Sequence, residues 1–365
     1  MIKIKDITKY IESLAPLSTQ ESYDNSGLIT GEMDTVAQGV LVSLDCTEDI
    51  VDEAIANGCN LIVSHHPIVF KGLKKFNGNN YVERTVIKAI KNDIAIYACH
   101  TNLDNFQYGV NYEIGKRMGL TNLKILDPKS NILNKVVCFV PIDHLDKVRE
   151  SMFESGAGQI GDYTECSSVA DSEGSFKPQP DANPFDGKIG ERSTVREARL
   201  EVLVDSHNVG AVVHSMIESH PYEEVAYEIY PILNKNQFIG SGMLGDLETP
   251  MSEKDFLTML KKTFNSSVVR HTKLLGADIR KVAFCGGSGS FLLDKAKSVK
   301  ADIYVTGDYK YHEFFDAENE IVIADIGHFE SEQFTSNRIS ELLMEKFPKF
   351  AVRLTEVNTN PINYF

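Results

Sequence analysis

Tryptophan is absent from the 365 residues, and the six cysteines (Cys46, Cys59, Cys99, Cys138, Cys166 and Cys285) form no CxxC pair. Scattered thiols, several inside apolar runs, argue against a disulfide frame and suit reduced, buried side chains of a cytoplasmic protein. No segment approaches the roughly 18–20 apolar residues that span a bilayer. The opening MIKIKDITKYIESLAPL alternates charge with apolar residues, so it reads as an amphipathic helix and lacks the apolar run of a secretory signal. Cytoplasmic residence without membrane contact is the expectation.

Positive charge is also scarce. Asp and Glu number 52 against 37 Lys and Arg, a formal net charge of -15, and no basic run exists to neutralise a phosphate backbone. Nucleic acid is therefore not an expected partner. The glycine turn CGGSGS (Gly286, Gly287, Ser288, Gly289) offers backbone amides that could hold an anion, but it lacks a P-loop lysine and the GxGxxG spacing. A tight strand-to-helix turn explains it equally well. No Gly-x-Ser-x-Gly elbow with a base is present, and no cysteine stands out as a nucleophile.

What is present is a globular composition, 42% hydrophobic and 24% charged, on a chain too long for one continuous core. From residue 1 to about 125, helical periodicity alternates with short apolar runs (GVLVSLD, LIVSHH, IAIYACHT), which predicts βαβ units around buried parallel strands. The segment 126–232 has its own symmetry. KVVCFVP, DHLDKVRESMFESG and GDYTECSSVA are followed by ARLEVLVD, NVGAVVHSMIESH and EEVAYEIYPI, a βαβ–βαβ order of ferredoxin-like type. Between the halves, residues 172–194 read as a long loop. From 233 to 365 the α/β alternation returns.

Four apolar runs end in metal-type side chains: LIVSHHP, AIYACHTNLD, IYVTGDYKYH and IVIADIGHFESE. Their donors are His65, His66, Asp104, Asp308, His312, His328 and Glu332, more than one tetrahedral ion uses, so two metals are expected. Adjacent imidazoles diverge, so His65 and His66 are each suited to one of two neighbouring ions. His328 and Glu332, four apart, share a helical face if Gly327 opens a helix; capping is the alternative role for such a glutamate. Asp104, which could equally cap a turn, has the carboxylate needed to bridge two cations. His100, Asp308, His312 and Asp45 are candidates for orienting ligands or exchanging protons, with Asp308 or His312 taken first for proton movement. These donors lie in the outer segments and none in the middle one, which identifies the middle segment as an insertion.

Together YDNSGLITG, LIVSHHPIVF, HTNLD, TGDYKYHE and GHFESE resemble the GTP cyclohydrolase 1 type 2 homologues, the Nif-three-like family, over about 250 residues of the two outer segments. The resemblance implies metal ligation by His65, His66, Asp104, His328 and Glu332. It implies two similar α/β lobes flanking a dinuclear site, an inserted PII-like or CutA-like domain, and a toroidal homohexamer. Two divalent ions per subunit are expected, zinc first, with iron or manganese as alternatives. The function expected is metal-dependent hydrolysis of GTP or another nucleotide or heterocycle. The alternative is a metal-binding scaffold or regulator whose insert senses a small molecule.

Overall fold

The computed structural model describes residues 1–365 and divides into two compact units, one formed by Met1–Pro128 with Phe238–Phe365, the other by Lys129–Gln237. No helix is long and apolar enough to cross a membrane. All six cysteines are unpaired, and five are buried.

The first unit holds two sheets. In one, Val40–Ser43, Leu61–Ser64 and Ala95–Ala98 run parallel; in the other, Asp278–Ser288, Ile303–Gly307 and Val322–Asp325 do. Both triplets follow chain order, and an antiparallel strand flanks the last strand of each, Gly27–Thr30 in the first and Arg270–His271 in the second; the second triplet alone has a further antiparallel strand, Gly240–Ser252, beside its first strand. Each sheet also takes a strand from the other end of the unit: Val352–Leu354 lies beside Val40–Ser43, and Thr121–Pro128 beside Gly240–Ser252.

Strand periodicity explains why the sheets stay together. Successive side chains point to opposite faces. Val40, Val42, Leu61 and Val63 therefore enter one continuous core with Val282, Phe284, Ile303, Val305, Val322 and Ala324. Leu41, Ile62 and Ile96 face the other way, under helices Glu48–Ala56 and Tyr81–Lys91. Ala283, Tyr304 and Ile323 do the same against helix Leu293–Ser298. Burial of each large apolar side chain contributes roughly 1.5–3 kcal/mol, so the shared core fixes the two strand rims relative to one another.

The second unit has one antiparallel sheet in the order Ser167–Phe176, Ser193–Asp205, Leu133–Pro141, Tyr227–Ile232. With helices Leu145–Glu154 and Val209–Ser219 this is a β-α-β-β-α-β chain in ferredoxin-like order, cored by Val136, Cys138, Met152, Leu200, Val202 and Met216. Two sequence expectations fail here. The strand expected at GDYTECSSVA begins only at Ser167, and it continues to Phe176, into the stretch expected to be loop. The reason is pairing: the long neighbour Ser193–Asp205 satisfies this backbone through Phe176 although its side chains are mostly polar and exposed.

Candidate metal centre

The donors stand where parallel strands end. Past Leu61–Ser64 the ladder continues for two residues, as the His65 and His66 amides donate to Ser43 O (3.1 Å) and Leu44 O (2.9 Å). Past Ala95–Ala98 the chain turns through His100 into a single helical turn, Thr101–Asp104. Past Val322–Asp325, Gly327 adopts φ 96°, a left-handed value that favours glycine, and opens the short helix His328–Glu332. The opening expected at Gly327 is therefore present, and His328 and Glu332 share one helical face.

Glu332 is the centre of the cluster. Its Oε2 lies 3.0 Å from His66 Nε2, 3.1 Å from His328 Nε2 and 3.9 Å from His65 Nε2. Asp104 Oδ1 is 3.5 Å from His65 Nε2. Three donor groups with metal-type spacing result: His65 with Asp104 and Glu332; His66 with His328 and Glu332; and His65 with His66 and His100, each within 4.8 Å. The carboxylate common to two groups is Glu332, whereas Asp104, whose carboxylate could also bridge, stands in one. Two buried atoms here, His65 Nε2 and Asp104 Oδ1, have no hydrogen-bond partner. Orphaned buried donors and acceptors are costly, and a divalent cation between them would satisfy both.

The outer faces of the imidazoles are fixed. His65 Nδ1–H donates to the Cys99 carbonyl (2.8 Å), His66 Nδ1–H to Asp45 Oδ1 (2.8 Å) and His328 Nδ1–H to Asp308 Oδ2 (2.7 Å). All three Nε2 atoms are thus directed at the cluster, the arrangement that sets tautomer and ring plane for metal ligation. Asp45 is held in turn by the Thr359 hydroxyl (2.6 Å).

Burial pushes the His65 imidazole down to about 3. Burial acts likewise on His66, but the hydrogen bonds it donates to Asp45 and Glu332 outweigh it and hold the ring at about 9. His328 is buried too, yet the Glu332 charge and the bond to Asp308 carry it to about 11. Burial, then the Glu332 charge, raises Asp104 to about 7. Glu332 is held well below its ordinary value because His328 and His66 override the penalty of burial. The cluster therefore concentrates negative charge on one deeply buried carboxylate, balanced by protons that a cation would displace.

Asp308 is an orienting partner of His328, and the hydrogen bond between them lowers its pKa. His312 is exposed, and its ring meets Tyr311 edge-on and stacks with Phe315 rather than joining the donor groups. His312 thus lies apart from the donors, and Asp308 meets them through His328. His100 stands among them, with its ring 5.3 Å from His65 and 5.4 Å from His66. Its Nδ1–H donates to Asp24 Oδ1 (2.8 Å). The Asp24 side chain, fully buried, also accepts from Thr101 N, Thr101 Oγ1 and Ser26 Oγ, and the bonds from His100 and Thr101 overcome burial to keep it ionised. Sequence reading passed over Asp24; the signal was its place in YDNSG.

The glycine turn proves to serve the cluster, not an anion. Gly286 N donates to Asn111 Oδ1, Gly287 N to Ser331 Oγ and Gly289 N to Thr306 Oγ1, so these amides are spent inside the protein. A Cβ at position 287 would stand 2.4 Å from Glu332 Oε1, and φ there is 59°. Glycine supplies the space in which the shared carboxylate sits.

The model of the Duf34/NIF3 (NGG1p interacting factor 3) family matches residues 2–361. A Halalkalibacterium halodurans protein named GTP cyclohydrolase 1 type 2 homolog is 38% identical over 363 residues, 98% of each chain. Among solved structures, a Bacillus cereus protein related to NIF3 superposes with TM-score 0.87 at 34% identity, covering 100% of this chain and 99% of that one. Staphylococcus aureus protein SA1388 gives 0.79 at 31%, with the same coverage.

Proposed function

Given that the chain belongs to the Duf34/NIF3 family, we propose that it is a metal-dependent hydrolase with a dinuclear centre. The observation that carries this reading is Glu332 Oε2, common to His66, His328 and His65, beside the unpartnered His65 Nε2 and Asp104 Oδ1. His65 and Asp104 would hold one cation, His66 and His328 a second, and Glu332 both. Zinc fits the mixed nitrogen and carboxylate set, and iron or manganese would fit it too. Two divalent ions there would supply Lewis acidity, acidifying a water and polarising the bond under attack.

The protein's own residues do the rest. Asp45, Asp308 and the Cys99 carbonyl lock the ligand tautomers. His100, backed by Asp24, faces the donor imidazoles and would take a proton from the reacting water. The substrate class proposed is GTP or another nucleotide or heterocycle, on the strength of the relatives' names. A homohexamer in the cytoplasm is part of the same proposal. The test is turnover across a nucleotide panel by metal-loaded protein, with Glu332→Gln as control. Equal behaviour of loaded and metal-stripped protein would sink the reading.

A second reading has its own observation. The inserted unit, proposed to be PII-like or CutA-like, contains a cavity of about 720 Å³. This favours a regulator in which the insert senses a small molecule and the metal centre is structural.

A further inference from the structure

The cavity of the inserted unit lies between strands Ser167–Phe176 and Ser193–Asp205, the connection 177–192 and the turn that follows helix Val209–Ser219. Glu197, 7% exposed, is its buried charge, and Glu197 Oε1 accepts the Tyr222 hydroxyl at 2.8 Å. Gly174 makes room for it, since a Cβ there would stand 2.3 Å from Glu197 Oε2. Tyr222 is itself pinned: its amide donates to His220 Nδ1 (3.1 Å), whose Nε2–H donates to the Phe139 carbonyl (3.0 Å). The Phe185 ring lies 6.0 Å from that of Tyr222, and Phe139 and Phe176 complete the aromatic lining.

The remaining charge is one-sided. Glu173, Asp181, Asp186, Glu223 and Glu224 stand exposed along the lining, with Lys177 the only cationic side chain among the lining residues. Such a field repels a polyphosphate or a carboxylate ligand. A bare metal ion is poorly served, because every donor group with metal-type spacing belongs to the other unit. One buried carboxylate beside aromatic faces instead matches an ammonium carried on an apolar body, which gains a charge-assisted hydrogen bond and cation–π contact together. The volume falls in the range of small-molecule sites.

We propose that this cavity binds a small organic amine, an ammonium on an aliphatic or aromatic body, with Glu197 as its counter-ion. The inference deepens the regulator reading and is independent of the hydrolase one. Calorimetric titration of the full chain with spermidine and with tyramine, using ATP as the anionic comparator, tests it. At least one amine should bind saturably, and Glu197→Gln, which keeps an acceptor for Tyr222, should weaken it by ~10-fold or more. Phe185→Ala, on the connecting segment, should weaken it by a smaller factor, and the rim variant Glu173→Gln hardly at all. Failure of both amines to saturate by about 10 mM, or equal binding by wild type and Glu197→Gln, would overturn the assignment. Binding of ATP that Phe185→Ala abolishes would overturn it too while leaving a sensing role for the insert intact.

Discussion

Glu332 Oε2 lies 3.0 Å from Nε2 of His66, a residue 266 positions earlier in the chain. The contact exists because the strands that deliver these residues belong to two sheets sharing one core, with Val63 and Val322 both in it. Replacing Glu332 by Gln removes the charge that His65, His66 and His328 all face. Loss of a partner that only orients a ligand typically costs 10–100-fold in metal affinity, so losing this carboxylate should cost ~100-fold or more. Competition with a chromophoric chelator measures it, and an unchanged circular dichroism spectrum would show that the fold persists. Wild-type affinity in Glu332→Gln would remove the centre proposed here.

Asp45→Asn and Asp308→Asn should each weaken metal binding by about 10–100-fold without unfolding the chain, since each bonds the outer nitrogen of one ligand. His312→Ala should change nothing in the same assay, because its ring packs on Tyr311 and Phe315. An equal loss in all three variants would mean that the orienting bonds are not what matters.

Gly287→Ala combines two penalties. The left-handed backbone costs about 1–2 kcal/mol for a residue with a Cβ, and that Cβ collides with Glu332 Oε1. Gly58→Ala is the comparison: φ is 66° there and nothing lies within 4 Å of the added atom. Both variants should melt at lower temperature, but only Gly287→Ala should lose metal. Retention of metal by Gly287→Ala would show that the carboxylate does not need the space.

The pH dependence has a definite sign. His66 in the folded chain titrates at about 9, above its ordinary 6.5. The stability it contributes is therefore fully present below pH 6.5 and is lost as pH rises through about 9. Metal-free protein should accordingly lose stability over that range. Cation binding must displace such protons, so affinity should rise about tenfold per pH unit for each proton released. Titrations in buffers of different ionisation enthalpy would count the protons; an affinity flat with pH would contradict the electrostatics described.

How much of this was legible beforehand differs by element. Val40–Ser43, Leu61–Ser64, Ala95–Ala98, Ile303–Gly307 and Val322–Asp325 are buried on both faces, so each reads as a continuous apolar run, and the donors follow the runs directly. Gly240–Ser252 and Thr121–Pro128 were not legible, because glycines and polar residues interrupt them and distant pairing alone makes them strands. In the insert, Ser172–Phe176 looked like loop for the same reason. In the site, spacing revealed that His328 and Glu332 share a helical face, a local property. That Glu332 rather than Asp104 stands in two donor groups depends on how the two sheets meet, which no local pattern encodes. Asp24 was missed because its partner His100 is 76 residues away.

The most direct test of the central claim is anomalous diffraction from crystals of protein purified with its native metal, recorded above and below the absorption edges of zinc, iron and manganese. Two peaks per chain are predicted, one beside His65 and Asp104, the other beside His66 and His328, with Glu332 contacting both. A single peak, or a pair of which neither touches Glu332, would contradict the account.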